Sequence, residues 1–214
     1  MYKLWGDNMK IENIVVQNNG YVDCKSCFYS VCDVLQDGSY SFFNGINKLT
    51  GEIDSGIWAL SYTLSMYKHR PKDFTLFNKP EVIVDKKTVT LSELSEYSCY
   101  MDRIYPLFSN GDSVKKQIER GLKHNKSNFS VDDIKGLFYL HEERIKRPLT
   151  GVGNEIFRAM AAIAFSYGKE IFCFPWLSDM RFKGYHENLS GLLPILEGLK
   201  KMVVMPVGMP TSED

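Results

Sequence analysis

Two apolar runs without alternation, "IFCF" at residues 171–174 and "MVVM" at 202–205, constrain the fold more than any other feature of this chain. A half-buried strand alternates apolar and polar residues; a run apolar at every position suits a strand covered on both faces, the situation of a parallel sheet. Between the two lies an amphipathic stretch, residues 189–199, and before the first lies an apolar helical stretch that runs to about Tyr167. Helix, strand, helix, strand at the C-terminal end predicts a parallel α/β core.

The first third reads differently. Ile11–Gln17, Cys27–Leu35 and Tyr40–Leu49 are β-like, with Gly20 and Gly38 as turn points. "GEIDSGIW", Gly51 to Trp58, is a glycine loop that opens a helix, with Ile57, Leu60 and Leu64 on one face and Pro71 as its end. "DFTLF" and "EVIVDKKTVTL" read as strands, the latter a hairpin around Asp85, Lys86 and Lys87. From Asp112 to Arg144 the pattern is helical, and "SVDD" (Ser130 to Asp133) has the form of a capping box. The expectation is one domain over residues 1–214, with a wholly helical lobe at about 92–150.

Composition narrows the function classes. Lys plus Arg and Asp plus Glu both total 26, so no excess charge points to nucleic acid or an anionic membrane surface. The opening "MYKLWGDNMK" has no apolar signal region, and the longest apolar run, Ala159–Phe165, is too short to span a bilayer. A cytoplasmic location is expected. Of five cysteines, Cys24, Cys27 and Cys32 cluster, but no histidine stands near them; free thiols are favoured over a metal site. His69, His124, His141 and His186 are scattered and mark no nucleophile.

The phosphate-binding loop pattern is G-x-x-x-x-G-K-[ST]. Gly51 and Gly56 have its spacing, Ile57 stands at the lysine and Trp58 at the hydroxyl position. With 16 glycines in 214 residues about one such pair arises by chance, so the order of the remaining pieces carries more weight. That order is a β-rich region, glycine loop and helix, then "CYMDRIYPLFSNGDSVKKQI", a helical stretch, "VGNEIFRAMAAIA", "EIFCFPWLS" and "KMVVMPVG". It resembles the nucleotide-binding domain of ABC transporters over nearly the full length, with strongly degenerate motifs. The resemblance implies a P-loop-like α/β core with an antiparallel β subdomain and a helical subdomain. Residue by residue, Gly51, Ser55, Gly56, Ile57 and Trp58 fall on the Walker A frame, and Asp102 stands near the Q-loop glutamine. Gly153, Asn154, Glu155 and Arg158 fall on the signature motif, where Val152 replaces its serine. The Walker B Asp-Glu pair is replaced among Phe174, Pro175 and Trp176, with Asp179 beyond the matching segment; no switch histidine follows the last strand.

In that family the lysine neutralises the β- and γ-phosphates, the hydroxyl and the Walker B Asp hold Mg²⁺, and the Glu polarises water. One such charge pair at about 4 Å is worth roughly 4 kcal/mol, or about a thousandfold, at an effective dielectric near 20. The losses imply a degenerate ATP-binding subunit of a membrane export system, with an assembly role, weak ATP and Mg²⁺ binding at most, and no catalytic residue. An intact ABC ATPase or an integral membrane permease subunit, by way of a dimer or peripheral contact at the inner membrane face, is the implied partner. Two other readings stay open on the sequence: an enzyme or small-molecule-binding protein that reuses the emptied pocket, and an NTPase with unconventional metal ligands. Trp58, Phe174, Pro175 and Trp176 suit either a new pocket lining or core filling.

Overall fold

The computed structural model describes residues 11–18, 22–26, 31–35, 38–52, 54–70, 75–76, 79–184 and 186–209. Strand β1 (Asn13–Asn18) alternates, burying Ile14 and Val16, and pairs antiparallel with β4 (Gly38–Phe43) on one side and β7 (Glu81–Val84) on the other. The hairpin expected at Asp85 forms between β7 and β8 (Lys87–Val89). Asp85 and Lys86 both take positive φ, 47° and 71°, the requirement of a type I′ turn, and the Asp85 carboxylate accepts the N–H of Asn13 at 2.9 Å. A second antiparallel sheet joins β2 (Val22–Ser26) to β3 (Val31–Leu35) and to β6 (Thr75–Leu76).

The expected Tyr40–Leu49 strand is two strands. The chain breaks at Asn44 and enters β5 (Gly45–Thr50), which pairs parallel with β11 (Met202–Val207). Asn47 makes the corner: its side chain accepts from the Phe43 N–H at 3.1 Å and donates to the Phe43 carbonyl at 2.7 Å. A second correction falls in the lobe expected to be wholly helical. After α2 (Leu91–Tyr97), residues Ser98–Tyr100 form β9, a fully buried parallel strand beside β10 (Ile171–Cys173). The parallel sheet therefore runs β5-β11-β10-β9, and both apolar runs lie inside it as expected.

Helix α1 (Ile57–Met66) lies against β9, β10 and β11, and every one of its residues is buried. The helical region comprises α3 (Val114–His124), α4 (Val131–Leu137), α5 (Glu142–Ile145) and α6 (Ile156–Ser166). The capping box read at Ser130 is present, with Ser130 and Asp133 exchanging side-chain-to-backbone bonds. Gln117, fully buried on α3, ties down the preceding loop: its amide donates to the carbonyls of Ser109 and Asp112 and accepts from the Ser109 N–H. The chain closes with α7 (Asp179–Gly184), α8 (His186–Gly198) and β11; α8 packs on β5, β11 and α6.

Candidate functional site

The ends of parallel strands are where open α/β folds place their ligands, because the loops that leave them converge on one edge. Here that edge carries the glycine loop after β5, Tyr100 at the end of β9 with Asp102 following it, Phe174–Leu177 after β10, and Gly208 after β11. The Gly51 N–H donates to the Val207 carbonyl at 3.0 Å, and Ser55 Oγ donates to the Glu52 carbonyl at 2.6 Å. Ser55 is thus spent on the loop's own turn. Gly56 takes φ 86°, a conformation that glycine tolerates and other residues resist, and from it α1 begins.

The first N–H groups of a helix lack internal partners and favour an anion. At α1 they have one. Asp33, from β3 and fully buried, accepts the Gly56 N–H on Oδ1 and the Ala59 N–H on Oδ2, each at 2.6 Å. This acid was absent from the sequence-level site. Its one sequence signal is an ionisable residue inside the apolar strand "VCDVL".

Burial pushes the Asp33 carboxyl above its ordinary 3.8; the amide bonds from Ala59, Gly56 and Val34 offset only part of this, and the Asp54 carboxylate adds to the rise. The folded chain therefore holds this proton to higher pH than the unfolded chain does. Relative to Asp33→Asn, wild-type stability should be greatest below 3.8 and fall as pH rises through the elevated value. Paired urea titrations of the two proteins between about pH 4 and 7 check the sign; a gap that widens in favour of wild type with pH contradicts it.

The side chains at the lysine and hydroxyl positions face the core. Ile57 is buried, and Trp58, 1% exposed, packs on Tyr62 with ring centroids 5.2 Å apart and donates Nε1–H to Tyr100 Oη at 3.3 Å. Phe174 is buried against Phe157, and its carbonyl accepts from Ser61 Oγ at 2.6 Å. Trp58 and Phe174 are core filling. Trp176 is different: partly buried, it reaches across the edge and donates Nε1–H to the Gly51 carbonyl at 3.1 Å. Leu177 bridges to Val207, which seals the end of β11. Asp179 pairs with Lys183 at 3.2 Å on α7. Asp102 accepts the Ile104 N–H at 3.1 Å, a local turn contact.

These residues do not fit a nucleotide with its Mg²⁺. The loop amides at Gly56 and Ala59 already hold a carboxylate, the aliphatic Ile57 stands where a cation is needed, and the aromatic Trp58, Phe174 and Trp176 stand where a hydroxyl and metal-binding acids are needed. Among the described residues no group of three or more His, Cys, Asp or Glu could hold a metal ion. Cys27 and the side chains of Cys24 and Cys32 lie outside the described residues.

The signature-like segment forms a second cluster. Two short 3-10 turns, Leu149–Gly151 and Gly153–Glu155, lead into α6. Asn154 does not cap that helix; its Oδ1 accepts from Arg144, which also donates to the Val152 carbonyl at 3.2 Å. Glu155, with a side chain only 2% exposed, gathers the bases around it. It contacts the ring Nδ1 of His141, accepts the His141 backbone N–H at 3.2 Å, and lies 3.3 Å from Arg144 and 3.9 Å from Arg158. Arg158 also donates to the Tyr139 carbonyl at 3.1 Å.

No protein-family model and no curated protein matches the sequence. Solved structures do match the fold. A putative ABC transporter ATP-binding protein from Pyrococcus furiosus superposes with a TM-score of 0.61 at 15% identity, covering 94% of each chain. A bacterial Atm1-family ABC exporter with ATP bound gives 0.55 at 10% identity, over 94% of this chain and 35% of the exporter. A dimeric ATP-binding cassette in a post-hydrolysis state, bound to ADP and phosphate, gives 0.55 at 11% identity, over 92% and 88%. The chain has the P-loop NTPase fold of ABC ATPase domains. No helix among the described residues is long and apolar enough to cross a membrane.

Proposed function

We propose that this chain is a degenerate ABC-type subunit that binds and assembles with a membrane export system rather than turning over ATP. The observation that carries the reading is the fate of α1. The fold keeps the glycine loop and its helix, but Ile57 and Trp58 are built into the core instead of facing a phosphate. Hydrolysis by the family's route needs the lysine, the metal-binding hydroxyl and the acids together. Burial of Trp58 and Phe174 also removes support from a reused aromatic pocket.

The partner is an intact ABC ATPase or an integral membrane permease subunit. In the family the sequence resembles, a composite site joins one chain's glycine loop to the other's signature segment. The segment at Gly153 keeps more of its motif than the loop does. Gly153 sits at φ 60°, where a non-glycine residue strains the backbone by about 1–3 kcal/mol, and an added Cβ would find only Arg144 Nη1 within contact range, at 3.8 Å, so Arg meets no steric clash at its Cβ there.

The test is affinity purification from native cells. Wild type should co-purify with an ATPase or permease subunit, and Gly153→Arg, with its fold confirmed by circular dichroism, should lose an ATPase partner. The purified chain should show no ATP turnover above background. Recovery of the wild type alone, or turnover that Gly56→Asp abolishes, would overturn the reading.

A further inference from the structure

We propose that Asp33 is a built-in occupant of the loop's anion site, so that the docking of β3 on α1 and the binding of a phosphoryl group at Gly56 and Ala59 exclude one another. The inference goes beyond the partner assignment and stands or falls without it. It rests on three features of the loop. First, the two N–H groups that Asp33 takes are those of the helix cap and of the third helical residue, separated by most of one turn, and one carboxylate bridges them with an oxygen on each. A phosphate at a helix N-terminus is held by the same kind of donors. Second, each N–H can serve only one strong acceptor, so a phosphate oxygen would have to displace a carboxylate oxygen. Third, Asp33 is fully buried while it makes these bonds, and it comes from a strand 23 residues away, so the contact is part of the folded core and not a surface turn.

The contact is intramolecular, and that decides the competition. A carboxylate held in place by a sheet has already met the ordering cost that a dissolved anion must meet on binding, and a tethered group acts at an effective concentration on the order of millimolar or above. Free phosphate must exceed that level before it competes. A second anion beside it would meet like-charge repulsion as well, with Asp33 and Asp54 on the same side of the balance. The loop has therefore kept the shape of an anion site and lost its vacancy.

The experiment uses the full chain and metal-free inorganic pyrophosphate, followed by the backbone amide resonances of Gly56 and Ala59. In wild type neither resonance should shift up to about 10 mM pyrophosphate, the weak end of affinity for a few charged hydrogen bonds. In Asp33→Ser, which vacates the site, both should shift saturably with a midpoint roughly tenfold or more below that limit. Should Asp33→Ser fail to fold, Asp33→Asn carries the test: it keeps the volume and one acceptor, so one of the two amides is released and should respond. Equal saturable shifts in wild type, or no response of either amide in a folded variant, would overturn the proposal.

Discussion

Rewriting the loop to its consensus, Ile57→Lys with Trp58→Ser, should unfold the domain or bring it close to unfolding, and should produce no ATPase. Trp58 is a large, fully buried side chain that packs on Tyr62 and bonds to Tyr100. Truncating such a residue costs about 3–5 kcal/mol, because the transfer free energy is lost and a cavity is left. Lysine at the buried Ile57 position adds the cost of an ammonium without a partner, or of the strain of moving it out. A domain of this size holds only about 5–15 kcal/mol of net stability. Chemical denaturation followed by circular dichroism measures the loss, and Trp58→Phe separates its two parts. That variant keeps most of the apolar area and gives up the bond to Tyr100, so its cost should be about 1 kcal/mol. A double variant with near-wild-type stability, or one that hydrolyses ATP, would show that Trp58 is a plug in a usable site rather than a part of the core.

The same helix explains why so much of the fold was legible and so little of the site. Strands apolar at every position fit the middle of a covered parallel sheet, and β10 and β11 lie there; α1, buried at every residue, packs over them with the hydroxyls of Ser61 and Ser65 bonded to carbonyls. The hairpin at Asp85 and the cap at Ser130 were legible because each depends on neighbours two or three residues away. Strand β9 was hidden because three residues define no period, and its partner β10 lies more than 70 residues further on. The Asp33 contact was hidden for the same reason. Nothing local marks a carboxylate on β3 as the acceptor for a loop 23 residues away; only the oddity of an acid among valines hinted at it. Glu155 was read as a position of the signature motif, and no local feature shows that its side chain turns inward to three bases of its own chain.

Glu155→Ala should destabilise the chain by about 2–3 kcal/mol, the cost of leaving charged and polar donors without their buried acceptor. The figure sits below the full cost of breaking a buried ion pair because the bases are not sealed in. The His141 side chain is 73% exposed and Arg144 36%, so water takes over part of what the carboxylate gave up. The His141 backbone N–H, where α5 begins, has less recourse, since Glu155 Oε2 is its acceptor at 3.2 Å. Glu155→Gln keeps the shape and a carbonyl oxygen for that N–H and should cost about 1 kcal/mol. The damage should also be local. Arg144 holds Val152 and Asn154 as well as Glu155, so releasing it loosens the turn that presents Gly153. Hydrogen exchange should therefore quicken over residues 141–158 in the alanine variant, while the parallel sheet at β10 and β11 stays protected. If Glu155→Ala instead left stability and exchange unchanged and abolished partner capture alone, the carboxylate would be an interface group, and its inward contacts incidental. The geometry favours the first outcome: a side chain 2% exposed, surrounded by the donors of its own chain, has almost no surface left to offer another.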